Sequence, residues 1–209
     1  MIYIGFDFSC NKPACCININ GNYHFLVWPL ELDKKSIEIL ATKDIVVLNR
    51  DRIEAGTTSS EKFRVHVTMA GILAEKILKT LEIVLENKTE NIKIAFEGSS
   101  FGSKGDAGLQ LAGYRYILMD KLGKLYGLEN IYTYAPLTIK SIAGCASKDK
   151  KGKDSMIKAL SEQNIDHEFI KTLRDNSQSL KKKTNFVSCV DDIADSFWIL
   201  QTMIIKENL

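Results

Sequence analysis

No stretch of this 209-residue chain approaches the roughly 18 to 20 consecutive apolar residues that a membrane span needs. Its opening residues, Met1-Ile2-Tyr3-Ile4-Gly5, lack the charged-then-apolar pattern of a secretory leader. The expectation is a soluble, intracellular protein of the cytoplasm with no membrane partner. The five cysteines (Cys10, Cys15, Cys16, Cys145, Cys189) are odd in number and contain no C-x-x-C pair, which disfavours both a disulfide framework and a structural zinc site. They read as reduced, mostly buried thiols. Histidine is scarce: His24, His66 and His167 are scattered without ligand spacing, so each reads as structural. Internal repeats are also missing, and the lysine triplet Lys181-Lys182-Lys183 is too short to count as low complexity.

What is present is apolar content enough for a core. At 45% hydrophobic residues, residues 1–209 fit a single domain with at most one inserted subregion. The formal net charge is only +2, but it is segregated. Residues 140–183 hold eleven Lys or Arg against six Asp or Glu, which gives +5 there and leaves −3 for the remainder. A basic stretch beside an acidic remainder suits an acidic site that needs metal and a rim that meets a polyanion, although a solvated lysine-rich loop would look the same by charge alone.

Residues 2–9 alternate as a strand does, a second apolar run covers 14–19, and Asn20-Gly21-Asn22 separates it from a third run at 23–28. This predicts a strand followed by an Asn-Gly hairpin. Residues 45–48 can form a short strand, and 54–60 read as a loop ending in a helix cap. From Glu61 to about Glu86, Phe63, Val67, Ala70, Ala74, Ile77, Leu81 and Val84 recur in steps of four and three, one face of a long helix laid over the sheet. A short strand at 92–96 ends at Glu97, and a Gly- and Ser-rich loop follows to Gly105. A helix at 106–125, a strand at 131–134 that stops at Ala135-Pro136, short helical stretches, a lysine-rich loop at 148–153 and a closing helix from about Asp191 to Lys206 complete the pattern. Three antiparallel strands and then alternating helices and strands specify an α/β fold, a mixed sheet with helices packed on it.

Four acids stand at the ends or mouths of apolar elements: Asp7 in the first strand, Glu97 ending the strand at 92–96, and Asp192 with Asp195 opening the last helix. Asp192 and Asp195 are three apart and so share one side of a helix whose other faces are apolar. Capping could account for Asp191 or Asp192, but not for Asp195. On the first strand Asp7 shares a face with Gly5 and Ser9, away from Phe6 and Phe8. Carboxylates gathered within about 4 Å repel by about 4 kcal/mol per pair at an effective dielectric near 20, so a cluster needs cations or raised pKa values. Oxygen ligands of this kind suit Mg²⁺ or Mn²⁺, and two such ions roughly 3.5 to 4 Å apart can drive in-line phosphodiester hydrolysis without a histidine or cysteine nucleophile.

The series Gly5-Phe6-Asp7-Phe8-Ser9, Phe96-Glu97-Gly98 and Asp192-Ile193-Ala194-Asp195-Ser196 resembles the acidic motifs of the RuvC Holliday junction resolvases, and looks closest to their divergent, phage-type members. The segments Tyr134-Ala135-Pro136-Leu137-Thr138-Ile139-Lys140 and Gly152-Lys153-Asp154-Ser155-Met156-Ile157 are similar to the RuvC stretch whose lysines bind the junction near the scissile phosphate. The resemblance implies an RNase H-like fold with a five-stranded mixed sheet and helices on both faces. It implies metal ligation by Asp7, Glu97, Asp192 and Asp195, with Asp191 as a register competitor, and two Mg²⁺ or Mn²⁺ ions per site. Lys140 and Lys153 become phosphate-binding or rate-assisting residues, Lys148, Lys150 and Lys151 further DNA contacts, and Phe101 an aromatic that either stacks on a splayed base or anchors its loop. The implied partners are branched DNA and a second copy in a two-fold dimer, with 106–125 as the interface.

The region 30–60 has no counterpart in that pattern, and the lysine loop is several residues longer than in bacterial relatives. Rival readings are a nuclease of the same fold acting on RNA precursors, flaps or RNA–DNA hybrids, and a catalytically silent nucleic-acid-binding relative. An actin-like sugar or acyl kinase, whose first strand reads similarly, is disfavoured because no second glycine-rich phosphate loop follows a later strand and 209 residues is short for two lobes.

Overall fold

In the computed structural model the described residues are 1–54, 56–88, 91–98, 106–146, 153–175 and 187–209, with the side chains of 106, 107, 109, 153, 187 and 188 left aside. β1 (Ile2–Asp7), β2 (Ala14–Ile19) and β3 (Asn22–Val27) form the expected antiparallel meander. Asn20 (φ 52°) and Gly21 (φ 93°) turn the hairpin with two positive φ values, the backbone that suits the right-handed twist of its strands. The Gly21 N–H donates to Asn18 Oδ1 at 2.8 Å and pins the turn.

After α1 (Lys34–Ala41), β4 (Ile45–Val47) pairs parallel to β3. α2 (Ser59–Val84) leads to β5 (Ile92–Glu97), which lies parallel to β1, and α3 (Asp106–Tyr126) leads to β6 (Ile131–Tyr134), parallel to β5. The strand order is β4-β3-β2-β1-β5-β6. Without β4 this is the RNase H-like arrangement: three antiparallel strands, then two strands added parallel to the first. The expected count of five is therefore corrected to six. The extra strand comes from the 30–60 region, where Ile45, 2% exposed, gives an otherwise free β3 edge an apolar partner.

Helices cover both faces. On one, α7 (Val187–Lys206) packs across β1 and β2, flanked by α4 (Pro136–Ile142), α5 (Lys153–Ser161) and α6 (Glu168–Asp175). On the other, α2 and α3 lie over Ile4, Phe6, Ile94 and Phe96. The strand alternation sorts the two cores, with Gly5, Ala14, Cys16 and Ala95 facing α7. Small residues there let α7 come close: a Cβ on Gly5 would overlap the Ser196 carbonyl oxygen and lie 2.5 Å from Leu200 N.

Two sequence expectations shift. α7 starts at Val187, four residues before Asp191, so neither Asp191 nor Asp192 is its cap. In α2 a capping box fixes the start: Glu61 N–H donates to Thr58 Oγ1 (3.2 Å) and Thr58 N–H to Glu61 Oε2 (2.9 Å). Ala70, Leu73, Ala74, Ile77 and Leu81 are buried, but Phe63 and Val67, placed by periodicity on the covered face, are 69% and 49% exposed. The first turns of α2 run beyond the core that its later turns cover. All five cysteines are free thiols, four of them buried, and no helix among the described residues is long and apolar enough to cross a membrane.

Gly5→Ala should cost about 3 kcal/mol or more, because the backbone of α7 must move away from β1. Gly113→Ala, in an α3 position where an added Cβ meets nothing within 4 Å, should instead gain about 0.5–1 kcal/mol from helix propensity. Urea denaturation of the two variants reads both signs.

Candidate active site

Parallel pairing of β1 with β5 places Phe6 beside Phe96, and those rings stack at 5.1 Å on the α2–α3 face. One step further, Asp7 and Glu97 end their strands on neighbouring chains about 4.8 Å apart. By alternation both share the α7 face with Gly5 and Ala95. β1 and β5 thus deliver two acids from positions ninety residues apart to one end of the sheet.

α7 brings the other pair. Ser196 abuts Gly5, Asp192 lies one turn ahead of Ser196, and Asp195 precedes it directly. Both acids are half-buried on a helix whose Ile193, Ala194, Phe197, Ile199 and Leu200 are at most 1% exposed.

A cavity of ≈ 230 Å³ opens between these elements, lined by Glu97, Pro136, Ile139, Lys140, Met156, Asp195 and Ile199. Three of the sequence-derived residues, Glu97, Asp195 and Lys140, therefore share one space. Asp7 and Asp192 are outside its lining, although β1 ends beside β5 and Asp192 lies on the same helix as Asp195. Lys153 begins α5, one turn before Met156, which places it on the element that walls the cavity. Phe101, Lys148, Lys150 and Lys151 lie outside the described residues, as does the lysine triplet.

Burial pushes the Glu97 carboxyl above its usual range, and the charges of Lys140 and Arg115 pull it partly back. Arg115 is a residue the sequence did not disclose. It lies on α3, is 8% exposed, and its Nη1 donates to the Glu97 carbonyl at 2.7 Å. On the other side of the same turn of chain, Gly98 N–H donates to Tyr134 O at 2.7 Å, continuing the β5–β6 pairing past Glu97. The backbone of Glu97 is thereby held from both sides, which limits where its carboxylate can point. The only advance signal was an arginine interrupting the apolar face of a helix that must pack on a sheet.

Chemically, the cavity offers hard oxygen donors from Glu97 and Asp195, an exposed ammonium from Lys140, and apolar walls from Ile139, Met156 and Ile199. An all-oxygen donor set fits a divalent cation of the Mg²⁺ or Mn²⁺ type. Among the described residues, no group of three carboxylate, histidine or cysteine side chains stands close enough to grip one ion. A complete shell would need Asp7 or Asp192 to close on the Glu97–Asp195 pair.

No protein-family model matches the chain, and no curated protein is significantly similar to it in sequence. Solved structures that it matches include RuvC of Thermus thermophilus, at 10% identity and TM-score 0.45 over 100% of this chain and 97% of that one. They also include T. thermophilus RuvC in complex with Holliday junction substrate, at 11% identity and TM-score 0.46 over 97% and 96%.

Since burial disfavours the charged form of Glu97, Glu97→Gln should raise the thermal midpoint of the metal-free protein at neutral pH. A carboxyl with a raised folded-state pKa destabilises most above that pKa, and the penalty vanishes below the ordinary value of 4.5. The gain in midpoint should therefore shrink as pH falls toward 4; a constant difference across that range would contradict the burial argument.

Proposed function

We propose that this chain is a metal-dependent endonuclease of RuvC type, a crossover junction endodeoxyribonuclease that cuts branched DNA, four-way junctions foremost. The observation that carries the reading is the shared cavity of Glu97, Asp195 and Lys140 at the sheet end where Asp7 also stops. Carboxylates from three separate elements stand toward one end of an apolar scaffold, where a divalent cation and a phosphodiester would use each of them.

Asp7, Glu97, Asp192 and Asp195 would hold Mg²⁺ or Mn²⁺, two ions per site, and such ions supply an activated water and charge stabilisation at the scissile phosphate when bound. Lys140 offsets negative charge that develops on the phosphate oxygens, and Lys153 adds to this from the start of α5. Glu97, fixed through its backbone by Arg115, keeps its carboxylate aimed at the cavity. Ile139, Met156 and Ile199 restrict bulk water, which strengthens the electrostatics inside. Hydrolysis breaks the P–O3′ bond and leaves 5′-phosphate and 3′-hydroxyl ends. Lys148, Lys150 and Lys151 extend the phosphate contacts, and Phe101 stacks on a base at the branch. A two-fold substrate cut at two equivalent positions calls for a two-fold enzyme, with α3 as the meeting surface.

Labelled four-way junction, flap, plain duplex and RNA–DNA hybrid, incubated with Mg²⁺ or Mn²⁺, test the reading together. Paired symmetric nicks in the junction are expected, with Asp7→Asn and Asp195→Asn losing cutting at least about a thousandfold while retaining junction binding. Binding should weaken steeply between low and moderate salt. Preferential cutting of the hybrid or flap would move the substrate to the related RNA or flap nucleases, and cutting unchanged by either substitution would remove the proposed site.

A further inference from the structure

The turns of α2 that periodicity placed on the core instead border a groove. It holds ≈ 450 Å³ between α2 and α3, lined by Ser59, Lys62, Phe63, His66, Val67 and Ala70 from α2 and by Gln110, Gly113, Tyr114 and Ile117 from α3. That volume is in the range of pockets that hold small organic groups, about 300–1,000 Å³. The groove lies across the sheet from α7, so the cavity of Glu97 does not account for it.

Its chemistry is specific in sign and shape. No lining side chain is acidic, while Lys62 lines the rim and Arg64 is exposed on the same turn of α2. Phe63 presents an aromatic ring to solvent, 69% exposed. Below it Tyr114, 5% exposed, sets its hydroxyl 3.4 Å from His66 Nδ1, and Gln110 adds an amide. A flat apolar surface, hydrogen-bonding groups at depth and a cation at the lip match an unpaired nucleotide: base on Phe63, base edge toward Tyr114, His66 and Gln110, phosphate against Lys62. The two-fold contact proposed through α3 would use its exposed Leu111, Tyr116 and Leu125, whereas copies meeting at this groove would bring two Lys62 side chains together.

We infer that the α2–α3 groove binds an unpaired nucleotide of single-stranded DNA adjoining the duplex that the active site engages. Location supports this. Tyr114 borders the groove and its neighbour Arg115 donates to the Glu97 carbonyl, so groove and site meet the same end of β5 from opposite faces of the sheet. The inference rests on the reading that nucleic acid is the substrate, and it adds a preference for junction arms with unpaired bases.

The test measures binding by fluorescence anisotropy in chelator, so that no cutting is required, on a blunt duplex and on the same duplex with a four-nucleotide single-stranded extension. Phe63→Ala removes the ring from an exposed helical position, and Gly113→Leu fills the groove at a point where an added Cβ meets no neighbour. Each should weaken binding of the extended duplex by about five- to 150-fold, the worth of one stacked base, and leave the blunt duplex within about twofold, since its backbone contacts are elsewhere. Equal losses on both probes, or none on either, would overturn the inference. So would a fall in sedimenting mass of the free protein caused by Phe63→Ala, which would make the groove a contact between copies. If the unaltered chain binds neither probe, the proposed function falls as well; if it cuts junctions while both variants bind normally, only the groove assignment fails.

Discussion

The close seating of α7 on β1 at Gly5 is the constraint on which the remaining architecture depends. With no side chain at position 5, the Ser196 carbonyl and the Leu200 backbone nitrogen approach the strand more closely than any Cβ would allow. That contact sets the depth of α7, and so the level at which Asp195 faces Glu97 across the cavity. The helix then organises its own neighbours: Trp198 Nε1 donates to Met156 O at 3.1 Å, tying α5 to it, and Gln201 Nε2 donates to Tyr23 Oη at 2.9 Å, tying β3. Since α5 carries Met156, one wall of the candidate site is hung from the helix that carries Asp195.

Such a site costs stability. Burial penalises the charged carboxylate of Glu97 and pushes its titration above the usual range. Five apolar α7 side chains, Phe197, Trp198, Ile199, Leu200 and Met203, are at most 6% exposed. At about 1.5–3 kcal/mol for each buried side chain, they outweigh such a penalty. Hence the acids can be carried on an element that is otherwise almost entirely core. The same logic explains why Asp7 and Glu97 stand at strand ends and why Asp192 and Asp195, although inside α7, remain half-buried and not fully enclosed.

Much of this could be read from residues alone. Alternation in 2–9 and the Asn20-Gly21 turn located the meander, strand ends located Asp7 and Glu97, and the three-residue spacing on an apolar helix located Asp192 and Asp195. The features that escaped the sequence depend on what lies beneath an element, which periodicity does not encode. Phe63 and Val67 fit the apolar step of α2, but the core stops before reaching them. The short strand at 45–48 was legible, but its parallel pairing to the open edge of β3 was not. The start of α7 escaped because Asp191 and Asp192, residue types favoured at caps, lie about one turn inside the helix. Pro136, Ile139 and Met156 come to the cavity from different elements through tertiary packing alone.

Arg115 is the most instructive of the residues that went unread, because it works from the face opposite α7. At the last residue of β5 the sheet is one chain thick, so a side chain rising from α3 can reach the backbone of Glu97 while the carboxylate of Glu97 turns toward α7. A charge-assisted hydrogen bond of this kind is worth about 1.5–3 kcal/mol, enough to hold the strand end against the charge crowded beside it. Tyr114, the adjacent residue, borders the α2–α3 groove. Consecutive positions on one helix thus touch a groove on one face and the backbone of an acid that faces the other.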